Sequence, residues 1–387
     1  MSASGTGERR IAVAPGDGIG PEVMAATLPA LDALRTRFDL PLSWQTLPWP
    51  STAWHREHGQ MMPADGLARL GDFDAILLGA LGDPGPGDDA ARYRLPDGIS
   101  LAPLLQIRKG FDLWACERPA RLLPGAPQYL ADPRARQVDL LVIRENSEGE
   151  YVNQGGRLHP GTPRELASQV SIFTRAATER LLRHAFERAR QRAARRAAEA
   201  PAGRPAEVCL VTKRNALAHW GEMYTEIFAE IAAHYPDVAT RHELVDAACM
   251  KFVQCPWTFD VVVASNLHGD ILTDLAAVLA GGMGVAPSMN INPLSDAAPA
   301  LFEPTHGSAP DIAGQGLADP RAMLLTAAMM LDWLEAGTPG CAAAAASLRL
   351  AVQQDLAGAA ARRPTARVGA DILARLAAGP DPKEAMQ

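Results

Sequence analysis

Asp270 and Asp274 stand four residues apart in the stretch Ala264-Ser265-Asn266-Leu267-His268-Gly269-Asp270-Ile271-Leu272-Thr273-Asp274. On a helix that spacing puts both carboxylates on one face, about one turn from each other. Like charges so placed repel, and a divalent cation that prefers hard oxygen donors, Mg²⁺ or Mn²⁺, relieves the repulsion. A solvated helix start, whose acids complement the N-terminal dipole, is the other reading. Arg108, Arg118 and Arg144 fall at the ends of three different elements. Guanidinium groups so distributed suit an anion with more than one carboxylate, and three surface arginines are the alternative. The stretch Leu301 to Gly314 is dense in glycine, proline and hydrogen-bonding side chains. Such a loop lets backbone N–H groups reach a phosphate or a nucleotide.

The elements that must position these groups follow from hydrophobic patterning. Val261-Val262-Val263 reads as a buried strand leading into a small-residue helix that carries the two acids. Val138 to Asn146 is a strand ending in polar residues, with Arg144 near its end. Arg118 lies in an extended segment from Asp112 to Pro119, and Arg108 on a short helix within Ile99 to Phe111. Lys213 sits just past a strand from Val208, and Asp246 at a strand-to-helix junction. Residues 151–172 read as a polar hairpin or arm, and Thr174 to Glu199 as a long helix. The basic run from Arg188 to Arg196 is expected to be a solvated face of that helix. Residues 83–98, rich in Gly, Pro and Asp, read as a loop. Arg321 to Leu334 is expected to be a core helix, and the Ala-rich tail two closing helices.

At the N-terminal end, strand Arg10 to Pro15 runs into Gly16-Asp17-Gly18-Ile19-Gly20-Pro21-Glu22 and then a helix with proline in its first turn. The glycine spacing is G-x-G-x-G rather than G-x-G-x-x-G, and the second strand ends without the acid that would hold a ribose. An ordinary Rossmann domain is therefore rejected. A close approach to a ligand and a plain tight turn both remain compatible with the glycines.

The totals are those of a globular α/β protein. The chain has 387 residues, 48% hydrophobic and 21% charged, enough for two domains. A net charge of −7 argues against nucleic acid as a partner. No apolar run approaches the roughly 20 residues that span a membrane. A polar N-terminus and five scattered cysteines without a C-x-x-C pair fit a reduced, cytoplasmic setting.

Five motifs together resemble the β-decarboxylating dehydrogenases, a family that includes isocitrate, isopropylmalate and tartrate/D-malate dehydrogenases. They are Gly16 to Glu22, the Arg108/Arg118-Pro119 pair, Arg144 to Tyr151, Asn266 to Asp274, and His306 to Ile312. The resemblance implies the isocitrate/isopropylmalate dehydrogenase-like two-domain α/β fold. Residues 1–113 with 282–387 would form the large, cofactor-side domain. Residues 114–281 would form the small domain with the dimer interface and the arm. It also implies a homodimer with shared active sites, NAD, Mg²⁺ or Mn²⁺, and room for K⁺. Residue by residue, Arg108, Arg118 and Arg144 match the substrate-carboxylate clamps, with Leu104 and Leu105 on the same helix as Arg108. Tyr151 is similar to the acid that protonates carbon after CO₂ leaves. Lys213 matches the base that acts with Asp246 on the substrate hydroxyl, and it must be neutral to accept that proton. Asp246, Asp270 and Asp274 match the metal carboxylates. Ile19, Glu303, His306, Gly307, Ser308, Ala309, Pro310, Asp311, Ile312 and Asp319 fall on the cofactor side. Asp311 favours NAD, because an aspartate accepts from both ribose hydroxyls and repels a 2′-phosphate.

Within the family, Pro96 to Leu101 and Gly59 to Pro63 look most like tartrate/D-malate dehydrogenases. Leu101 stands where isopropylmalate enzymes carry an acid, and Leu104-Leu105 offers no polar partner to a third carboxylate. The expected substrate is a malate-type 2-hydroxy diacid, D-malate or tartrate first and 3-isopropylmalate or another alkylmalate second. A non-catalytic, regulatory NAD-binding homologue is the alternative of another class. Three positions depart from the family pattern: Cys116-Glu117 before Arg118, His268 beside the acids, and Asp319, where an asparagine often touches adenine.

Overall fold

The computed structural model describes residues 7–82, 95–199, 204–358 and 362–378. Most of the expected loop over 83–98 lies outside them, as does the start of the N-terminal tail. The chain divides into two compact units. The first comprises Met1–Phe111, Leu122–Tyr129 and Ala280–Gln387, and the second Asp112–Arg121 with Leu130–Leu279.

In chain order the first unit begins with β1 (Arg9–Gly16), α1 (Gly20–Arg37), β2 (Leu42–Thr46), α2 (Thr52–His58), α3 (Gly66–Leu70), β3 (Ala75–Ala80), α4 (Asp97–Ser100) and α5 (Ala102–Gly110). The second unit holds β4 (Ala115–Arg121), β5 (Asp139–Glu145), β6 (Gly149–Leu158), β7 (Leu166–Ile172), α6 (Arg175–Glu199), β8 (Glu207–Thr212), α7 (Ala218–Ala232), β9 (Ala239–Leu244), α8 (Val245–Gln254), β10 (Val261–Ala264) and α9 (Asn266–Leu279). The first unit then closes with β11 (Met289–Ile291), β12 (Ala300–Phe302), α10 (Arg321–Leu334), α11 (Cys341–Gly358) and α12 (Thr365–Ala378).

Strands of the first unit run in the order β2-β1-β3-β12-β11. All neighbours are parallel except β11, which is antiparallel to β12. The central β3, Ala-Ile-Leu-Leu-Gly-Ala, is buried throughout, as a parallel strand covered on both faces must be. Helix α10 is buried along nearly its whole length, in keeping with its Met-rich, apolar sequence. Two short elements, α2 and β11, are not marked by any apolar periodicity. Only Thr52 of α2 is buried, and β11 has three residues.

In the second unit the order is β4-β5-β10-β8-β9. Strands β5, β10, β8 and β9 are parallel, and β4 runs antiparallel along β5. Strands β6 and β7 form a separate antiparallel ribbon whose outer residues are exposed. The basic run on α6 is not the solvated face expected of it. Arg192 and Arg196 both donate to Asp260, which is fully buried just before β10. Arg188 reaches the buried Glu117, and Arg190 pairs with Asp237. A charge run reads as a solvated face when its counter-charges lie far away in sequence, as they do here.

The glycines of Gly16 to Glu22 face protein backbone. A Cβ at Gly16 (φ +72°) would lie 1.9 Å from the carbonyl oxygen of Ala80, and one at Gly18 (φ +57°) 2.0 Å from that of Ser308. Backbone crowding and positive φ together require glycine at both positions. The turn is a chain-on-chain packing device, and its Ile19 N–H donates to the Ser308 carbonyl at 2.9 Å.

Candidate active site

In the second unit, the strand ends and the start of α9 gather several of the expected groups. Alternation along β4 sends Cys116 and Arg118 to one face and Glu117 to the other. Arg118 Nη1 donates to Thr273 Oγ1 at 2.7 Å and lies 3.5 Å from Asp270 Oδ1 and 3.9 Å from Asp274 Oδ1. Arg144, at the end of β5, pairs with Asp270 Oδ1 and donates through Nε and Nη2 to Asn266 Oδ1 at 2.9 and 2.7 Å. The Tyr151 hydroxyl donates to Asp270 Oδ2 at 3.0 Å, and the Arg144 guanidinium sits over its ring at 5.2 Å. The i,i+4 carboxylates therefore do share a face, with two guanidinium groups and a phenol against them. Burial and the neighbouring Asp270 push the Asp274 carboxyl above the usual range, with Arg118 and Arg144 opposing.

Lys213 and Asp246 form a second group. Lys213 Nζ donates to Asp246 Oδ1 at 2.8 Å, and that bond holds the Asp246 carboxyl below its ordinary value. Asp246 is in the first turn of α8. Among the described residues of one chain, no group of three or more His, Cys, Asp or Glu side chains is placed to hold a metal ion. The carboxylates themselves fit Mg²⁺ or Mn²⁺ by chemistry, being hard oxygen donors. One chain offers two of them on α9 and the third apart, on α8.

Two departures have a clear structural account. Glu117 is buried and points to α6, where its carboxylate meets His184 Nε2 at 2.7 Å and Arg188 Nε at 2.9 Å. Burial alone would raise its pKa, but Arg188 and His184 more than offset that and hold it below the usual carboxylate range. It does not compete with Arg118 for an anion. His268 is buried beside Trp220, with ring centroids 5.7 Å apart, and burial lowers its pKa.

In the first unit, Arg108 is buried and donates to Glu303 Oε1 at 2.6 Å, while Asn290 donates to the same oxygen at 2.9 Å. An expected substrate clamp and an expected cofactor residue are thus one ion pair. Leu104 and Leu105 are half-buried on the same helix as Arg108. A cavity of about 450 Å³ is lined by Ile19, Gly281, Gly282, His306, Ala309 and Ile312, with Asp319 and Arg321 at its side. Glu303, Gly307, Ser308, Pro310 and Asp311 are not among its lining residues. His306 Nδ1 lies 3.0 Å from the Gly307 carbonyl, so it carries the proton. Burial keeps the ring neutral, and Nε2 is left buried without a partner. An unsatisfied ring acceptor in a glycine-walled cavity fits the amino group of an adenine. Asp319 Oδ2 accepts from Arg321 at 2.7 Å, so its charge is already matched.

The family model for isocitrate/isopropylmalate dehydrogenase matches residues 10–371. The chain belongs to that family. It is 45% identical over 330 residues to a probable tartrate dehydrogenase/decarboxylase of Agrobacterium vitis, covering 84% of this chain and 86% of that one. It is 43% identical over 373 residues to a 3-isopropylmalate dehydrogenase of Thermobifida fusca, covering 95% and 98%. The crystal structure of isocitrate dehydrogenase from Methylococcus capsulatus superposes with a TM-score of 0.78 at 32% identity, over 95% of this chain and 99% of that one. As a member of this family the chain is an oxidoreductase that acts on a CH–OH group with decarboxylation. Among the residues around the family's acids, Asn266 and Thr273 went unassigned from sequence. Their signal was spacing: four before and three after Asp270, they share its helical face.

Proposed function

We propose that the protein oxidises and decarboxylates a malate-type 2-hydroxy diacid with NAD and a divalent metal, D-malate or tartrate before 3-alkylmalates, as a homodimer with shared sites. The observation that carries this reading is the convergence of Arg118, Arg144 and Tyr151 on Asp270 in a family of decarboxylating dehydrogenases. Asp270 and Asp274, with the partner's Asp246, would hold the metal, which would supply Lewis acidity toward the substrate hydroxyl, and NAD when bound would supply the hydride acceptor. Arg118 and Arg144 orient the substrate carboxylates by charge-assisted hydrogen bonds. The partner's Lys213, oriented by the partner's Asp246, takes the hydroxyl proton, and Tyr151 returns a proton to carbon after CO₂ departs.

Support for a dimer comes from the exposed apolar side chains of α8 and α9, Met250, Val253, Ile271 and Val278 among them. Helices with such faces are covered when two copies meet. The relatives' names divide between tartrate and 3-isopropylmalate. Leu104 and Leu105, which offer a γ-carboxylate no polar partner, favour a substrate whose γ-group is absent or apolar. The test is NADH formation from NAD⁺ and Mn²⁺ with D-malate, tartrate, 3-isopropylmalate and a wider alkylmalate panel. Highest kcat/KM on D-malate or tartrate is expected. Silence across the panel with NAD⁺ binding intact would instead support a regulatory NAD-binding protein.

A further inference from the structure

The motif from Arg144 to Tyr151 contains three glutamates that the proposed chemistry does not use: Glu145, Glu148 and Glu150. Two of them close local structure. Glu145 accepts from the backbone N–H of Ser147 at 2.9 Å and from that of Glu148 at 2.7 Å, which holds the turn between β5 and β6. Glu148 accepts from Thr174 N at 2.8 Å and from the Thr174 hydroxyl at 2.9 Å, just before α6. Glu150 reaches a different helix. Its Oε1 accepts from Ser265 Oγ at 3.0 Å and its Oε2 from Leu267 N at 3.1 Å. Ser265 directly precedes α9, and Leu267 lies in its first turn. Ser265 Oγ in turn accepts from His268 N at 3.4 Å. The first N–H groups of a helix have no acceptor within it and favour a negative charge nearby. Glu150 therefore ties β6 to the start of the helix that carries Asp270 and Asp274.

Tyr151, the next residue of β6, donates to Asp270 Oδ2 at 3.0 Å. Leu267 and Asp270 are three apart on α9 and so are neighbours on its surface. Adjacent residues of one strand thus grip successive points of one helix. Asn266 adds a further tie, donating through Nδ2 to the Glu148 carbonyl at 3.0 Å. A serine before a helix can satisfy part of the first turn unaided, whereas a carboxylate brought from another strand also fixes where that strand lies. We propose that Glu150 is a positioning residue for the step that returns a proton to carbon. By holding β6 on the first turn of α9 it fixes the Tyr151 hydroxyl against Asp270. The inference rests on the role given to Tyr151 above.

The experiment is steady-state kinetics of the full chain with NAD⁺, Mn²⁺ and the diacid that the wild type turns over fastest, for Glu150→Ala, Glu150→Gln, Tyr151→Phe and the Glu150→Ala/Tyr151→Phe double variant. Glu150→Ala is expected to lower kcat roughly tenfold. KM for NAD⁺ should stay unchanged, because the expected cofactor residues all lie in the first unit. A glutamine at this position can donate to Ser265 Oγ and accept from Leu267 N, so Glu150→Gln should recover part of the loss. In the Tyr151→Phe background, Glu150→Ala is expected to cost less than about twofold, because the hydroxyl it positions is already gone. Where Glu150→Ala does not fold, Ser265→Ala removes one of the two contacts and runs the same cycle with a smaller loss. Wild-type kcat in Glu150→Ala overturns the proposal, and so does an equal factor lost in both backgrounds. A rise in KM for NAD⁺ in step with the fall in kcat overturns it too, since that marks general loosening. If the wild type turns over no diacid of the panel, the role of Tyr151 fails and the proposal falls with it. An active wild type with an additive cycle leaves that role standing and sinks Glu150 alone.

Discussion

Glu117 shows what one side chain's direction decides. Next to Arg118 in sequence, it stands on the opposite face of β4 and is buried against His184 and Arg188. Glu117→Gln removes a buried charge while leaving Arg188 in place, and is expected to cost about 3 kcal/mol of stability at neutral pH. Its folded pKa is depressed, so this contribution is present above the unfolded value and is lost as pH falls through the folded one. Urea denaturation of both proteins should therefore give a gap at pH 7 that closes in acid. A gap that is constant with pH would mean the carboxylate's charge is not what stabilises β4 against α6. The sequence placed Glu117 beside Arg118 but could not tell which face it used, because strand register decides that. His268 was legible as a departure, and only its packing against Trp220 shows it to be an interior ring.

At the level of elements, patterning carried most of the fold. The apolar runs of β3, β5, β8 and β10 and the long helices are marked by composition and period. The basic run on α6 misled, because its partner Asp260 is far away in the chain and pairs with it only once the sheet has formed. The N-terminal glycine turn was ambiguous for a related reason. Whether its glycines face a ligand or protein depends on the loop after β12, which packs on it through Ser308. Gly18→Ala tests that packing. The added Cβ meets a backbone oxygen and the φ is positive, so the turn must shift. Because Ile19 lines the cavity, the expected outcome is a several-fold weaker NAD⁺ affinity with a stability loss above about 1 kcal/mol. Calorimetry showing native affinity would separate the turn from the cavity.

At the scale of the whole molecule, the three acids fall on two different helices of the second unit. Asp270 and Asp274 share a face of α9, while Asp246 is occupied with Lys213 at the start of α8. The five motifs made the family legible, because their order and spacing along the chain agree with it. The exposed apolar side chains of α8 and α9 were not legible from composition, since only the fold shows which apolar residues stay uncovered. A shared site of the kind proposed requires Asp246 of one copy to serve the α9 acids of the other. Asp246→Asn and Asp270→Asn chains should each be inactive as homodimers. Co-expressed in equal amounts, they should recover about a quarter of wild-type turnover, since half the dimers are mixed and each mixed dimer has one intact site. Mixed dimers, verified as such, with no activity would contradict the shared site and require all three acids from a single chain.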